Sequence, residues 1–556
     1  LILSKRSESP DNLRFFIPAI SLYNSKFVIF SCFFLWFLFA GKASFSDEKE
    51  AESSPVYIDS VEIDNNNIFS LDSAKYDYWI YRLANKLHIK TKKHIIEREL
   101  LIKKGDIYSE RLALESERNL RSLSYLWNAK VELYRSGDSL NILRVTTADS
   151  WTMLAGFSIS RNSEEVSYHF RFEELNLLGL GQSVALHYYI REFREDYGRL
   201  SFTEMRLLGS RHYLNLYYDG NPEVGEKGLS IGKPFYSLDS RIQYSIAYSA
   251  TDRRRDNYGE GGVVTSWEQI SGDWLRLANY YRFGSYHNKI VAGLNYEYRD
   301  IGPTDTLVIE KSPNNVFSRD SLYWAITPEF GVYNLEYIGT TRINTFRTTE
   351  DILLEKGGSV EIGWTFDASN HHNIYKSIAL AGNFHHYIKS NLFFAGIKQT
   401  RWFKGKTTYR KALNLSIKYY NNYIKWLTPM FRVVYTEDIP SEGAGTLYLG
   451  ENNGLRGYPR NYTTGERRLI VNVENRFFSG IEILSVDLGA VQFVDIGRCW
   501  AKDEGVRLKD FYWSVGFGLR LSAERISNAR LMRLDLAYAG ELNDWQFSFG
   551  VGHYIN

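Results

Sequence analysis

Cysteine and proline are nearly missing from this chain. Of its 556 residues only 2 are Cys and 11 are Pro. Cys32 falls in an apolar N-terminal stretch and leaves Cys499 alone beyond it, which excludes an internal disulfide and any Cys-based metal site. Also missing after residue 50 is a run of about 18 apolar residues, the least that a spanning helix needs. A chain of this kind that crosses a membrane does so with strands. The net charge is only +2, so no strong field recommends a nucleic-acid partner. There is no Gly-x-Ser-x-Gly elbow, no phosphate loop and no His-Glu-x-x-His. His371-His372 and His385-His386 are adjacent pairs, not ligands spaced along one face, and predict loop or rim positions. No catalytic residue, cofactor or metal is expected.

What the chain does have is aromatic residues and alternation. Tyr, Phe and Trp number 40, 33 and 13, together 15% of the residues, against a mean hydropathy of −0.33. That balance suits a β-barrel with an apolar outer band and a wet lumen. Residues 511–521 place Phe511, Trp513, Val515, Phe517, Leu519 and Leu521 on one face. Tyr512, Ser514, Gly516, Gly518 and Arg520 fall on the other, the period of a transmembrane strand. Such segments repeat from Trp151 to Asn556 with Gly/Asn/Asp turns between them. At about 25 residues per strand and loop they predict an antiparallel barrel of about 16 strands. A soluble sandwich or propeller would bury these faces and fits less well. The pairs Tyr280-Tyr281 and Tyr419-Tyr420 are expected in the interfacial girdle.

The region ahead of the barrel divides in three. Phe27 to Ala40 is a 14-residue apolar run preceded by Lys26 and followed by small residues. It is short for a membrane anchor and right for a signal-peptide core, so residues 1–43 are read as a leader. Its removal takes five basic and two acidic residues with it and leaves a net charge near −1. Residues 44–54 form a charged linker. Residues 55–148 have a soluble α+β texture. A strand is predicted at 56–63, helices at 73–88 and 91–103, and a third helix capped by Ser109. Two strands at 131–134 and 140–145 flank the hairpin turn Ser136-Gly137-Asp138. The barrel is assigned to residues 149–556.

Three motifs stand out in the barrel. Early on, Asn176-Leu177-Leu178-Gly179-Leu180-Gly181 supplies two glycines that permit a positive-φ turn at a barrel rim. Late in the chain, Arg456-Gly457-Tyr458 follows Gly454-Leu455 on a Gly-flanked turn. Two strands come after it. Glu474 shares a face with Asn472 and Arg476, and Asp495 shares one with Ser485, Asp487 and Gly489, opposite their apolar neighbours. A cation that reaches two carboxylates inside a barrel pins its loop there, because an unpaired buried charge is costly. The last strand alternates Trp545, Phe547, Phe549 and Val551 with Gln546, Ser548, Gly550 and Gly552.

These features resemble the BamA/TamA superfamily, the bacterial surface antigen family of outer-membrane proteins. The strand and helix order of residues 55–148 is similar to a POTRA domain, though residues 64–90 depart from the usual pattern by adding a helix. Asn176, Gly179 and Gly181 match the family's early turn. Gly232-Lys233-Pro234-Phe235 is similar to a Pro-Phe corner seen in several members. Arg456, Gly457 and Tyr458 match its Arg-Gly-[Phe/Tyr] motif, which in relatives sits on a loop folded into the lumen. The resemblance implies that Arg456 pairs with Glu474 and Asp495. It also implies that Trp545, Phe547, Phe549 and Val551 form a C-terminal strand signal, imperfect here because the chain runs on to Tyr554-Ile555-Asn556.

The implied fold is one small α+β POTRA domain in the periplasm followed by a transmembrane antiparallel β-barrel in the bacterial outer membrane. The implied function is insertion of barrel proteins into that membrane, or movement of polypeptide across it, without catalysis. The implied partners are the lipid bilayer and lipopolysaccharide, unfolded outer-membrane or secreted polypeptides, and accessory periplasmic or lipoprotein subunits. The alternatives are a dedicated two-partner-type secretion pore and a passive porin-like channel. A porin would have an open lumen and no inward loop.

Overall fold

The computed structural model describes residues 55–137, 140–161, 166–192, 195–221, 224–258, 264–308, 321–441, 447–527 and 531–555. The expected leader and linker, and Asp138 of the expected hairpin turn, lie outside these residues. The first described region is a three-stranded sheet with helices on it. Its strands are β1 (Ser60–Asn66), β2 (Leu126–Arg135) and β3 (Asn141–Asp149). β3 is central, parallel to β1 and antiparallel to β2, so β1 and β2 are the edges. Helices α1 (Trp79–Leu87), α2 (Lys93–Glu97) and α3 (Glu110–Arg121) connect β1 to β2. The Ser109 side chain accepts from the Leu112 amide to start α3. Ile58, Ile96, Ile102, Leu120, Leu126 and Leu143 close a core of their own.

The elements differ from the sequence expectation where tertiary contacts take over the backbone. The first strand begins four residues late, with Tyr57 making only an isolated bridge to Ile107. The helix expected at 73–88 splits into a short 3-10 turn at Ala74–Tyr76 and α1. There Tyr76 packs edge-on against Tyr81, with ring centroids 5.4 Å apart. The helix expected at 91–103 stops at Glu97. Four residues later, the Leu101 amide donates to Ser116 Oγ of α3 at 2.8 Å instead of to its own helix.

The rest is a closed antiparallel barrel of twenty strands. Six short strands come first: β4 (Met153–Arg161), β5 (Val166–Glu174), β6 (Gln182–Arg191), β7 (Tyr197–Glu204), β8 (Tyr213–Asp219) and β9 (Val224–Lys233). Nine long ones follow. They are β10 (Ile242–Tyr258), β11 (Val264–Gly284), β12 (Asn288–Val308), β13 (Ser321–Thr340), β14 (Glu350–Asp367), β15 (Asn373–Ile388), β16 (Asn391–Lys404), β17 (Thr407–Asn421) and β18 (Leu427–Pro440). A small two-stranded ribbon, β19 (Leu447–Leu449) with β20 (Thr463–Gly465), forms a sheet of its own beside the wall. The wall resumes with β21 (Arg467–Ile483), β22 (Val486–Trp500), β23 (Tyr512–Ser522), β24 (Leu531–Ala539) and β25 (Asp544–Val551).

Twenty strands replace the expected sixteen because the strands are shorter and closer than a uniform spacing assumes. β4 to β9 fit six strands into residues 153–233. Neighbouring wall strands are joined by ladders of six or more paired residues, the shortest being β7 with β8. The junction of β25 with β4 is different. Although the barrel closes there, no such ladder runs between these two strands among the described residues. The start of the first strand is held instead by the turn after β23, through Trp151 N to Arg525 O (2.7 Å) and Ser527 N to Trp151 O (3.0 Å).

Alternation sorts the wall residues as strand geometry requires. On β23 the side chains of Trp513, Val515, Phe517 and Leu519 are exposed on the outside, while Ser514 and Arg520 are buried within. The paired tyrosines are divided by the same rule. Tyr419 and Tyr420 point to opposite faces, and Tyr420 is buried in the lumen against Met430 and Leu392 instead of lying in an outer girdle. His385 and His386 sit on β15, not in a loop, whereas His371 lies in the turn before it. Among the described residues no helix is long and apolar enough to cross a membrane.

Candidate functional site

Among the described residues three segments turn into the lumen. The first is the loop between β18 and β21, tied at its base by the β19/β20 ribbon. Gly454 and Gly457 adopt φ of +108° and +84° on either side of Leu455-Arg456. A Cβ on Gly457 would lie 3.1 Å from Cβ of Ala537 on β24, so the loop lies directly on the wall. Leu455 and Tyr458 pack with Leu449, Ile470, Cys499 and Ala539. The Tyr458 hydroxyl donates to the Trp513 carbonyl at 3.0 Å.

Arg456 is 0% exposed. Its Nε and Nη2 donate to the two oxygens of Asp495 at 2.7 and 2.8 Å, the planar fork on a carboxylate. Its Nη1 lies 2.8 Å from Glu474 Oε1, an ion pair without hydrogen-bond angles. Asp535 on β24 is 3.9 Å from the same nitrogen. The guanidinium stacks on Phe493, 3.5 Å from the ring centre, and faces Tyr554 at 4.5 Å. Asn472 ties the carboxylate to the loop, donating both to Asp495 Oδ1 at 2.8 Å and to the Gly454 carbonyl at 2.9 Å.

Two further arginines complete the cluster. Arg476 Nε donates to Glu474 Oε2 at 3.0 Å, and Arg520 Nη1 to Asp535 Oδ1 at 2.5 Å. All six charged groups are buried, three cations against three anions. Burial of this kind is tolerable only with such mutual pairing. Sequence reasoning set Arg476 and Arg520 on polar strand faces but assigned them no partner, and it passed over Asp535. The alternation of Arg533, Asp535 and Ala537 against Leu534 and Leu536 was the available signal.

The second inward segment is the chain end. After β25, Gly552 turns at φ +79° and His553 and Ile555 become buried. The Tyr554 hydroxyl accepts from the Gly454 amide at 3.1 Å and donates to the Glu451 carbonyl. The Ile555 carbonyl accepts from Arg476 Nη2, and its side chain joins Leu354, Leu392 and Met430 on the opposite wall. Trp545, Phe547, Phe549 and Val551 of β25 all lie outward, 51 to 67% exposed. The third segment is the turn between β13 and β14. Its Phe346 packs on Phe478 and Leu531, and its Ile343 carbonyl accepts from Arg476 Nη1 at 2.6 Å.

The α+β region sits on one rim of the barrel. Asn176, Gly179 and Gly181 form the turn between β5 and β6, and this turn meets α2. Lys92 N donates to the Gly179 carbonyl at 3.0 Å, and Asn176 Nδ2 to Thr91 Oγ1 at 2.8 Å. A Cβ on Gly179 would come within 2.4 Å of the Lys90 carbonyl. A Cβ on Gly181 would meet the Tyr125 hydroxyl at 2.7 Å, a group that burial pushes well above its usual pKa. Close approach, as well as positive φ, therefore calls for glycine here. The next turn, Leu207-Leu208-Gly209, repeats the geometry. Leu178 and Leu208 both sit at φ +53°, and the amides of Asn176 and Arg206 each donate to the glutamate two residues earlier at 2.8 Å. Arg206 of that turn pairs with the buried Glu99, which Arg211 approaches to 3.3 Å and Arg98 to 3.7 Å. Farther round the rim, Leu238 N donates to Glu115 at 2.8 Å, next to the Pro234-Phe235 corner. Arg121 pairs with Asp351 at 2.7 Å, and Tyr76 bonds Glu482 at 3.1 Å. Among the described residues no group of His, Cys, Asp and Glu is arranged to hold a metal ion.

No protein-family model and no curated protein matches the chain. Among solved structures it is similar to BamA from Haemophilus ducreyi lacking POTRA domains 1–3. The identity is 12% over 90% of this chain and 85% of that one, with a TM-score of 0.34. It is similar also to CdiB from Acinetobacter baumannii, 11% identical over 90% of this chain and 74% of that one, with a TM-score of 0.41. CdiB from Escherichia coli is 10% identical over 89% and 75% of the two chains, with a TM-score of 0.40.

Proposed function

We propose that the chain is an outer-membrane barrel of the BamA/TamA type that inserts barrel proteins into the membrane or moves polypeptide across it. The observation that carries this reading is the Arg456 cluster. It fastens an inward loop to β21, β22 and β24, beside the place where β25 and β4 close the wall. Backbone groups freed when such a junction opens are a template for a strand from another chain. A bilayer leaves them no water to bond, so an incoming strand gains there what it would lose to solvent elsewhere. The apolar outer faces of β23 and β25 suit lipid, with lipopolysaccharide in the outer leaflet.

On this reading residues 1–43 are a leader, 44–54 a linker, 55–148 a POTRA-like periplasmic domain and 149–556 the barrel. The edge of β2 beyond Val131, whose amide already donates to Glu117 of α3, is suited to receive an extended client by strand addition, alone or with accessory periplasmic or lipoprotein subunits. Asn176, Gly179 and Gly181 seat that domain, Arg456, Gly457, Tyr458, Glu474 and Asp495 hold the loop, and the outer face of β25 serves as the strand signal. No cofactor or catalytic residue is needed. A dedicated secretion pore shares the same parts and differs in having a single client. A passive channel is disfavoured by the loop, the chain end and the β13–β14 turn, which all occupy the lumen. Depletion of the protein followed by profiling of outer-membrane proteins tests the reading. Loss of many barrels supports insertion, loss of one exported protein points to a dedicated pore, and an unchanged profile refutes both.

A further inference from the structure

The Arg456 cluster is charge-balanced, and the cavity next to it is not. Between the inward loop and the wall lies a space of about 470 Å³, within the size range of small-molecule sites. Its charged lining is Arg432 of β18, Arg468 of β21, Arg533 of β24, and Arg460 and Glu451 of the loop. Four arginines thus line the cavity with one glutamate. The nearest other acids, Glu474, Asp495 and Asp535, are already paired with Arg456, Arg476 and Arg520. Arg533 approaches Asp535 only to 3.9 Å.

Each arginine carries five N–H donors. Among the described residues Arg432 donates to Asn472 Oδ1 at 3.2 Å and Arg468 to the Tyr448 carbonyl at 2.7 Å, which leaves most of their donors uncommitted. Like charges gathered in a confined space repel, and the repulsion is relieved by a counter-anion. Planar forks from several directions match the tetrahedral oxygens of a phosphate group.

We propose that this cavity is a binding site for a phosphate-bearing anion. The space exceeds what a single phosphate would fill, so a diphosphate or a phosphorylated headgroup suits it best. Its lining joins β18, β21 and β24 to the loop, so a bound anion would cross-link the loop to the wall independently of Arg456. The inference holds whether or not the assembly reading does.

The test is isothermal titration of the full-length protein in neutral detergent with inorganic pyrophosphate at constant ionic strength. Sulfate and an oligo-glutamate peptide serve as comparison anions. Saturable binding of pyrophosphate, weakened at least tenfold in Arg468→Gln/Arg533→Gln and unchanged in the surface variant Arg82→Gln, is the expected result. Heat-modifiable gel mobility checks that each variant is folded, and Arg432→Gln alone serves if the double variant is not. Bisphosphorylated lipid A in mixed micelles, against its dephosphorylated form, separates the two sources of phosphate. Displacement of pyrophosphate by the phosphorylated lipid alone assigns the site to a headgroup, and no displacement assigns it to a free anion. Absence of pyrophosphate binding, binding that the arginine variants leave intact, or stronger binding of the glutamate peptide would overturn the proposal.

Discussion

Two buried ionic clusters are mirror images of each other. In the lumen one arginine, Arg456, is approached by Asp495, Glu474 and Asp535. At the rim one glutamate, Glu99, is approached by Arg206, Arg211 and Arg98. The lumen cluster gathers partners within about 80 residues of chain and ends balanced, because Arg476 and Arg520 supply the missing cations. The rim cluster joins residues about 110 apart in sequence, from two separately cored regions, and leaves the cations in excess. The first fastens a loop to its own wall and the second fastens one folding unit to another. Removal of the central charge should therefore disorder a segment in the first case and loosen the seat of one folding unit on another in the second.

The largest effect is expected from Arg456→Ala, which leaves buried carboxylates without their shared partner. Truncation of one side of a buried ion pair costs about 3–5 kcal/mol, and water in the lumen reduces that figure. Protease cleavage near Asn461–Gly465 should rise while the barrel keeps its heat-modifiable mobility. Arg456→Lys should restore protection only in part, since an ammonium cannot fork across Asp495 and reach Glu474 as well. Equal protection of Arg456→Ala and wild type would remove the difference between the clusters.

Glu99→Gln is next. It keeps the shape but withdraws the anion that all three guanidinium groups approach, leaving only Glu204 at 3.9 Å from Arg98, at a cost of about 1–3 kcal/mol to docking. Hydrogen exchange should quicken at α2 and in the turn holding Arg206, while the lumen loop stays protected. Faster exchange in the loop would mean that the clusters act as one. The smallest effect separates the two Leu-Leu-Gly turns. Gly209→Ala meets nothing within 4 Å and pays only for its φ of +76°, about 1 kcal/mol. Gly179→Ala has the same φ cost plus a 2.4 Å approach to the Lys90 carbonyl. Only Gly179→Ala should speed exchange of the Lys92 amide.

What could be read from the sequence was the facing of residues, because facing is local. Val473 is exposed and Glu474 buried one position apart, and a period of two carries that information. The same period assigns Trp513 and Ser514 to opposite sides. Strand count was less legible, since the tight spacing from β4 to β9 carries no mark that distinguishes it from longer loops. The rim cluster was invisible. Nothing in the neighbourhood of Glu99 distinguishes it from a solvated helix glutamate, and Arg206 sits more than 100 positions away. The inward course of Tyr554 and Ile555 was equally hidden, because five residues are too few to show a period. The second Leu-Leu-Gly turn could have been found by aligning residues 174–181 with 204–211, an internal repeat that the fold makes plain.

The buried chain end has a consequence for the order in which the molecule forms. Its wall is built almost wholly from hairpin neighbours, contacts that close early because little chain must be ordered to make them. Ile555, by contrast, rests on Leu354, Leu392 and Met430, side chains from 125 to 201 positions earlier. It can settle only after that distant wall stands. Maturation therefore has two clocks, a fast one for the cylinder and a slow one for its contents. A molecule stopped between them would pass as folded by every assay that sees only the cylinder.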